Sequence, residues 1–504
     1  MPPLAQDEWR VRCKSCISRA RPVQGDIEQK RRCIKKCRVC VYLLLFAIFL
    51  FVVAAILLAY FLAIIPAHRK ADGVREPGET WDDSARPNAY TPALKDFFDY
   101  GGMHKVRGVN LGGWLILEPF ITPSFFNETG AVDEYSLSRA LGQKEAQRRL
   151  EKHYDTFVTE ETFKRIVDLG FNHVRIPLPF WSIQEEAPYV HKVSFKYLLR
   201  GIEWARKYGL RIMLELHAAP GHQNIWNHCG RVGNMGWLDG TPDGFKYANR
   251  TLDILEELMR RFAQPRYENV VTLVGILNEP AIFLMSDQSK QLTVEWHKFA
   301  LERLRAINPD ARGPLLVYHD GFMGRKWWEG KVALAGNDPA IMDLHNYLIF
   351  NKYLLKLSRN EKLFFPCADW RKDLIEAKQK NIMTIVGEWS VAINDCGPFL
   401  NGVGIGTRWE GTYDNSSAHC PNKPCTCTGS EDWELWTPEY RKYLRTFAEK
   451  QMDAFEEGIG WFFWNFQTEG GVNPHWDYFL GEVCIKKPTD AANEDLAILM
   501  DLFT

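Results

Sequence analysis

Two glutamates stand in settings suited to acid–base or nucleophilic work. The tetrapeptide Leu277-Asn278-Glu279-Pro280 closes the apolar run 271–277, and Val386-Gly387-Glu388-Trp389 closes another short apolar run. Each places a carboxylate at the end of a short buried strand, where a parallel barrel exposes residues to its mouth. Two such carboxylates suffice to split a glycosidic bond: one protonates the leaving oxygen while the other attacks the anomeric carbon or activates water. That chemistry calls for no metal and no cofactor.

Other apolar runs end the same way. Asn110, Arg175, His217, Asn278, His345 and Trp464 all fall at the C-terminal ends of candidate strands. A single histidine or asparagine at a strand end is equally well a loop-edge polar group or a satisfied core residue. Repetition changes the balance, because a buried charge is costly unless paired. The set points to a catalytic rim.

The elements that must position this rim are eight β-like runs, at 106–111, 173–176, 211–216, 271–277, 314–318, 341–344, 384–386 and 460–463. Amphipathic stretches separate several of them, among them 159–169, which carries Phe163, Ile166 and Val167 and stops at Gly170, and 293–307. Eight β/α units over the region 97–504 predict an α/β chain folded as a (β/α)8 TIM barrel with long loops. The rival, a doubly wound open sheet, lacks a Gly-rich phosphate loop after the first strand. Between the last two strands, residues 412–438 carry Cys420, Cys425 and Cys427 and few apolar residues. This stretch is expected to be a disulfide-pinned loop over the barrel mouth; zinc binding is disfavoured because paired C-x-x-C halves are missing.

Net charge is −1, so no global field draws the chain to nucleic acid, and no nucleic-acid partner is expected. The 18 Trp, 18 Tyr and 30 Phe include candidates for stacking on sugar rings, although most must serve the core. Residues 41–65 are 25 consecutive uncharged, mostly apolar positions. As a helix they would reach ~37 Å, enough to cross a hydrocarbon core of ~30 Å. The preceding 1–40 hold eleven Lys/Arg against four Asp/Glu. This arrangement predicts a single transmembrane signal anchor at 41–65, a basic cytosolic tail at 1–40, a Pro- and charge-rich stalk at 66–96, and a lumenal or extracellular barrel, a type II arrangement with membrane lipid as partner and the plasma membrane as its expected place. On the lumenal side fall the sequons at Asn127, Asn249 and Asn415 and seven cysteines, which allow up to three disulfides. Cys13, Cys16, Cys33, Cys37 and Cys40 fall on the cytosolic side, where acylation, zinc binding and plain reduced thiols all remain open.

The stretch Val106-Arg-Gly-Val-Asn-Leu-Gly-Gly-Trp114 through Glu118 to Phe126 resembles the opening signature of the fungal exo-β-1,3-glucanases of glycoside hydrolase family 5. So does Gly387-Glu388-Trp389 running on through Cys396 to Arg408 and Asp414. The resemblance covers the barrel and not the tail, anchor or stalk. It implies retention of configuration, with Glu279 as acid/base and Glu388 as nucleophile. It further implies that Asn278 bonds the sugar 2-hydroxyl, that His217, His345 and Tyr347 line the same subsite, that Glu118 binds sugar hydroxyls, and that Trp464 forms a platform under the ring. Trp226 and Phe350 match positions of an aromatic clamp at the pocket entrance. On physical grounds, Arg175 beside Glu388 should hold the nucleophile ionised, whereas Glu279, near a second carboxylate and desolvated, should keep its proton longer.

The chain departs from the family pattern in places. Trp226 stands where the family usually has Phe, Ala218 and His222 where it has Gly and Ser, and Phe466 where it has Trp. These changes touch the outer subsites and no catalytic group. The expected activity is removal of glucose from β-1,3-glucan, with a glucan polysaccharide or oligosaccharide as partner. The alternatives are a β-1,6-glucanase, a glucosyltransferase or a glycolipid β-glucosidase of the same fold, and a non-catalytic glucan receptor, which would need neither glutamate.

Overall fold

The computed structural model describes residues 80–307, 313–332, 340–413 and 417–485. The expected tail, the anchor at 41–65, the part of the stalk at 66–79 and Asn415 lie outside them. Among the described residues no helix is long and apolar enough to cross a membrane.

Eight parallel strands close on one another in sequence order: β1 (Val106–Asn110), β2 (His173–Pro179), β3 (Arg211–Ala218), β4 (Val271–Gly275), β5 (Leu315–His319), β6 (Ile341–Asn346), β7 (Thr384–Trp389) and β8 (Gly460–Phe463), with β8 pairing back onto β1. All eight expected strands are present. Helices follow the strands and bury one stripe each. In Pro242–Phe262, Thr241 accepts from the Gly244 N–H and Pro242 opens the first turn, while Leu252, Leu255, Leu258 and Phe262 recur at helical spacing and are buried. Truncating one of these leucines would cost ~2–5 kcal/mol, because the packed stripe cannot collapse onto the gap.

The barrel lumen is apolar below and charged above. Met213, Leu273, Val317, Ile341, Ile385 and Phe462 form one buried cluster with Phe98 and Tyr100. Above them, room for Glu215 and Asp343 is made by glycines: a Cβ on Gly275 would lie 2.9 Å from the Glu215 side chain, and one on Gly387 would lie 2.3 Å from Asp343.

Residues 80–96 do not hang free as the end of a stalk. Leu94 is buried in the main core. Arg211 donates to the carbonyls of Pro92, Ala93 and Asp96 at 3.1, 2.8 and 3.1 Å, and Asp83 forms a buried ion pair with Arg206. The segment's few apolar and acidic residues thus find partners on the barrel, which a scan for apolar periodicity does not register.

Candidate active site

Strand alternation alone would turn Glu388 away from the lumen, since Ile385 faces inward. A register shift corrects this: Leu344 pairs with Val386 but His345 pairs with Glu388, so Gly387 is the extra residue of a bulge that swings the carboxylate to the inner side. Arg175 on β2 reaches the same point. Its Nη1 donates to Glu388 Oε1 at 2.8 Å and to Asn110 Oδ1 at 2.7 Å, and its Nη2 donates to Asn278 Oδ1 at 3.0 Å and ion-pairs with Glu215. The Tyr347 hydroxyl donates to Glu388 Oε2 at 2.9 Å. Both oxygens of Glu388 are therefore held, one by a cation and one by a phenol.

Glu279 lies just past β4 with a φ of 42°, a left-handed conformation that non-glycine residues seldom adopt. The strain is held by neighbours: Asn224 Nδ2 donates to its carbonyl at 3.1 Å, and two imidazoles flank its carboxyl. His345 Nδ1 is 2.6 Å from Oε1, and His228 Nε2 is 3.0 Å from Oε2. His345 Nδ1 also stands 3.5 Å from Glu388 Oε2. The triangle through that nitrogen keeps these two carboxylate oxygens within about 6.1 Å of each other, which admits the ~5–5.5 Å of a retaining pair.

Electrostatics reverse one expectation. Burial would raise Glu279, but His228 and His345 outweigh it and hold the carboxyl well below its usual range, whereas burial pushes Glu388 up against the pull of His345 and Arg175. The sequence gives no sign that imidazoles on both sides, rather than a second carboxylate alone, surround Glu279. Glu118, in the loop after β1, is driven by burial up to about 8, and its Oε1 is a buried acceptor with no partner among the described residues. Asn278 Nδ2 is likewise a buried donor without a partner among the described residues. Burial pushes His217 down to about 4, so its ring is neutral; it lies parallel to Trp464, with centroids 5.6 Å apart and an angle of 8°.

Arg175, His217, Asn278, Glu279, His345, Tyr347, Glu388 and Trp464 thus come together as the sequence led one to expect. Trp226 and Phe350 fall in separate aromatic groups. Trp226 packs with Phe283 and Phe322, at 6.4 and 5.7 Å, whereas Phe350 packs with Tyr347 and Trp476, at 5.5 and 6.3 Å. Asn127 and Asn249 are exposed on helices. The loop after β7 is pinned by Cys396–Cys427 and Cys420–Cys425, and Asp395 gathers Asn401 and Arg408 beneath it so that the Arg408 guanidinium lies 5.9 Å from the Phe350 ring centroid. Cys229 and Cys367 are unpaired.

Four site residues were not singled out from the sequence. Glu215 precedes His217 by two, and Asp343 precedes His345 by two, so period-2 alternation places each on the same face as its partner; that signal was present. His319 ends β5 one residue beyond the run marked out in sequence. His228 gave no signal, since it sits in a short turn, Asn227–Cys229, away from any strand. Among the described residues three carboxylate–imidazole groups, Glu279/His319/His345, Glu215/His217/Glu388 and Glu215/Asp343/His345, each offer ligand atoms within 4.8 Å of one another. In the second, Arg175 already supplies the positive charge.

The sequence profile of the cellulase family, glycosyl hydrolase family 5, matches residues 139–401. A probable glucan 1,3-beta-glucosidase D of Neosartorya fischeri is 43% identical over 415 residues, covering 79% of this chain and 48% of its own length. Glucan 1,3-beta-glucosidase 2 of Schizosaccharomyces pombe is 43% identical over 411 residues, covering 79% of this chain and 70% of its own. The chain spans about half the length of the first of these relatives. Among solved structures, a rutinosidase from Aspergillus niger superposes with a TM-score of 0.59 over 78% of this chain and 100% of its own, at 19% identity, a likeness of fold.

Proposed function

The chain belongs to glycosyl hydrolase family 5, and on that premise we propose that it is a retaining hydrolase that removes glucose from β-1,3-glucan. One observation supports the retaining mechanism: Glu279 and Glu388 both contact His345 Nδ1, so their facing oxygens lie no more than about 6.1 Å apart, which admits the ~5–5.5 Å spacing of a retaining pair. Glu388, fixed by Arg175 and Tyr347, attacks the anomeric carbon. The glycosidic oxygen leaves with a proton from Glu279, which draws on the imidazoles beside it. Glu279 then takes a proton from water as that water displaces Glu388 from the sugar.

The unpartnered Glu118 Oε1 and Asn278 Nδ2 support a polyhydroxylated ligand, because a sugar hydroxyl donates to the first and accepts from the second. The names of the relatives support the β-1,3 linkage. Incubating the full-length chain with β-1,3-, β-1,4- and β-1,6-linked glucose oligosaccharides tests the reading. Glucose should appear from the β-1,3 series first, with the β-configuration retained in early product. Inverted product, or cleavage of the other linkages alone, overturns it.

The apolar run 41–65, with its basic flank, supports a type II membrane anchor that places the barrel in the lumen or outside the cell, where Asn127, Asn249 and Asn415 would meet the glycosylation machinery. Protease added to sealed microsomes should trim the N-terminal tail and spare the barrel. A protected N-terminal tag with a digested C-terminus overturns that orientation.

A further inference from the structure

The carboxyl of Glu279 is gripped on both oxygens, and the second grip comes from outside the strand ends. His228 belongs to the turn Asn227–Cys229. Cys229 anchors this turn: its buried thiol faces the carbonyls of Trp226 at 3.0 Å and Arg231 at 3.3 Å. Asn224 ties the turn to Glu279. Its Oδ1 accepts from the Trp226 N–H at 3.1 Å, which fixes the amide so that Nδ2 donates to the Glu279 carbonyl at 3.1 Å and lies 2.9 Å from His228 Nε2. One asparagine thus sets both the backbone of the glutamate and the ring that faces its side chain.

That arrangement constrains the protons. If His228 is neutral with Nε2 bare, its one lone pair accepts from either Asn224 or the carboxyl, and the 3.0 Å contact then requires the carboxyl to carry the proton. If His228 is charged, Nε2–H points at a carboxylate. In either state a proton lies in the His228–Glu279 pair.

We propose that His228 is a positioning residue for Glu279, holding Oε2 while His345 holds Oε1 and governing how readily this carboxyl gives up its proton. The inference rests on Glu279 as the acid/base of the proposed reaction. The other groups facing the pair are His345 from β6, His319 from β5, Glu388 from β7, His217 from β3, Arg175 from β2 and Glu118 from the loop after β1. Burial alone would lower His228, but Glu279, with Glu118 and Glu388 adding to it, holds the ring above its ordinary value. A cation beside a carboxylate favours its charged form, so removing the imidazole should make Glu279 harder to ionise.

The test is a titration of the Glu279 carboxyl carbon by NMR in the full-length chain, with the signal assigned by its loss in Glu279→Gln. His228→Gln keeps an amide in place of the ring without its charge. Its Glu279 midpoint should rise by about one pH unit or more, the low end of what an adjacent charge does. If His228 serves only to pack the turn, His228→Gln would lower the melting transition without moving the midpoint, and coincident midpoints overturn the proposal. Should His228→Gln melt too early to titrate, His228→Asn gives the same comparison with a smaller amide. The titration needs no turnover. Inactivity of the unmodified chain on every glucan would therefore count against the functional reading, while the midpoint alone judges this one.

Discussion

The floor of the site and its rim are held in different ways. Asn110, Arg175, Glu215, His217, Asp343, His345 and Glu388 stand on strands paired on both sides, and most of their polar atoms meet one another around the Arg175 guanidinium. Trp226, Phe283, Phe322 and Phe350 hang from loops, touch mainly rings, and leave Phe283, Phe322 and Phe350 about two-fifths exposed (46%, 39% and 43%). Position on the floor is over-determined by sheet and charge together, whereas position on the rim depends on loop packing. A division of labour follows: floor residues should affect the reaction on every substrate, and rim residues should affect it only where a longer chain reaches them.

The largest effects are expected from the two carboxylates. Glu388→Ala offers no nucleophile, so natural glucans and aryl glucosides alike should lose at least ~10⁴-fold in kcat, the scale seen when one member of a cooperating catalytic set is removed. Glu279→Ala should lose ~10²–10⁴-fold on a glucan, whose leaving group needs a proton, while glycosylation by an aryl glucoside survives. A covalent intermediate should then accumulate, and azide, which needs no base, should release it. Full activity in either folded variant would remove these residues from the mechanism.

Arg175→Ala comes next and reads out on stability. The guanidinium is wholly buried against Glu215 and Glu388, and removing one partner of a buried pair leaves uncompensated charge, at ~3–5 kcal/mol. Denaturant unfolding measures this. A loss below ~1 kcal/mol, the range of surface pairs, would mean that the floor is not the charged keystone described above.

Where floor meets rim, Glu134 ties the loop after β1 to β2's end, accepting from the Leu117 N–H at 2.8 Å and the Trp181 indole at 3.2 Å. Burial raises it from 4.5 to about 8. Its folded value lies above its unfolded one, so the stability it contributes is full below the ordinary carboxylate range and is lost as pH climbs toward 8. Glu134→Gln removes the titration and keeps one of the two acceptors, and the loss of the other does not depend on pH. The stability of the variant relative to the unmodified chain should rise by on the order of 2 kcal/mol between pH 4 and pH 8, since each tenfold change in proton affinity between the folded and unfolded chain is worth ~1.4 kcal/mol and relaxation absorbs part of it. Equal stability differences at both pH values would show that Glu134 is already ionised in the fold.

What the sequence disclosed follows the same division. Strand ends are marked by apolar runs, so Glu279, Glu388, Arg175 and His345 could be found, and the spacing of Glu215 from His217 and of Asp343 from His345 would have added two more. The bulge that turns Glu388 inward left no such mark, because a register shift depends on how two distant strands pair. Residues on loops are harder still. His228 reaches Glu279 only after the turn closes around Cys229 and Asn224, contacts made within a loop that has no period. The expected order of protonation is reversed for the same reason, since it depends on a residue whose place only the folded loop reveals.

The smallest effects, and the most discriminating, are expected at the aromatics of the rim. Trp226 leans on Phe283 and Phe322, so its removal should loosen one wall, while Phe350 rests on Trp476 and on Tyr347, which itself bonds Glu388. Taking away one ring that stacks on a sugar should weaken binding by ~0.5–1.5 kcal/mol, a factor of roughly 2 to 12. For Trp226→Ala that loss should appear in KM for β-1,3 oligosaccharides of three or more glucoses and be absent with a short aryl glucoside, because a short substrate ends before the wall begins. Phe350→Ala should show the same loss plus a smaller one on the aryl glucoside, transmitted through Tyr347 to the nucleophile. If Trp226→Ala instead lowers kcat equally on long and short substrates, the Trp226 wall belongs to the floor, and the separation of chemistry from reach does not hold at this point of the barrel.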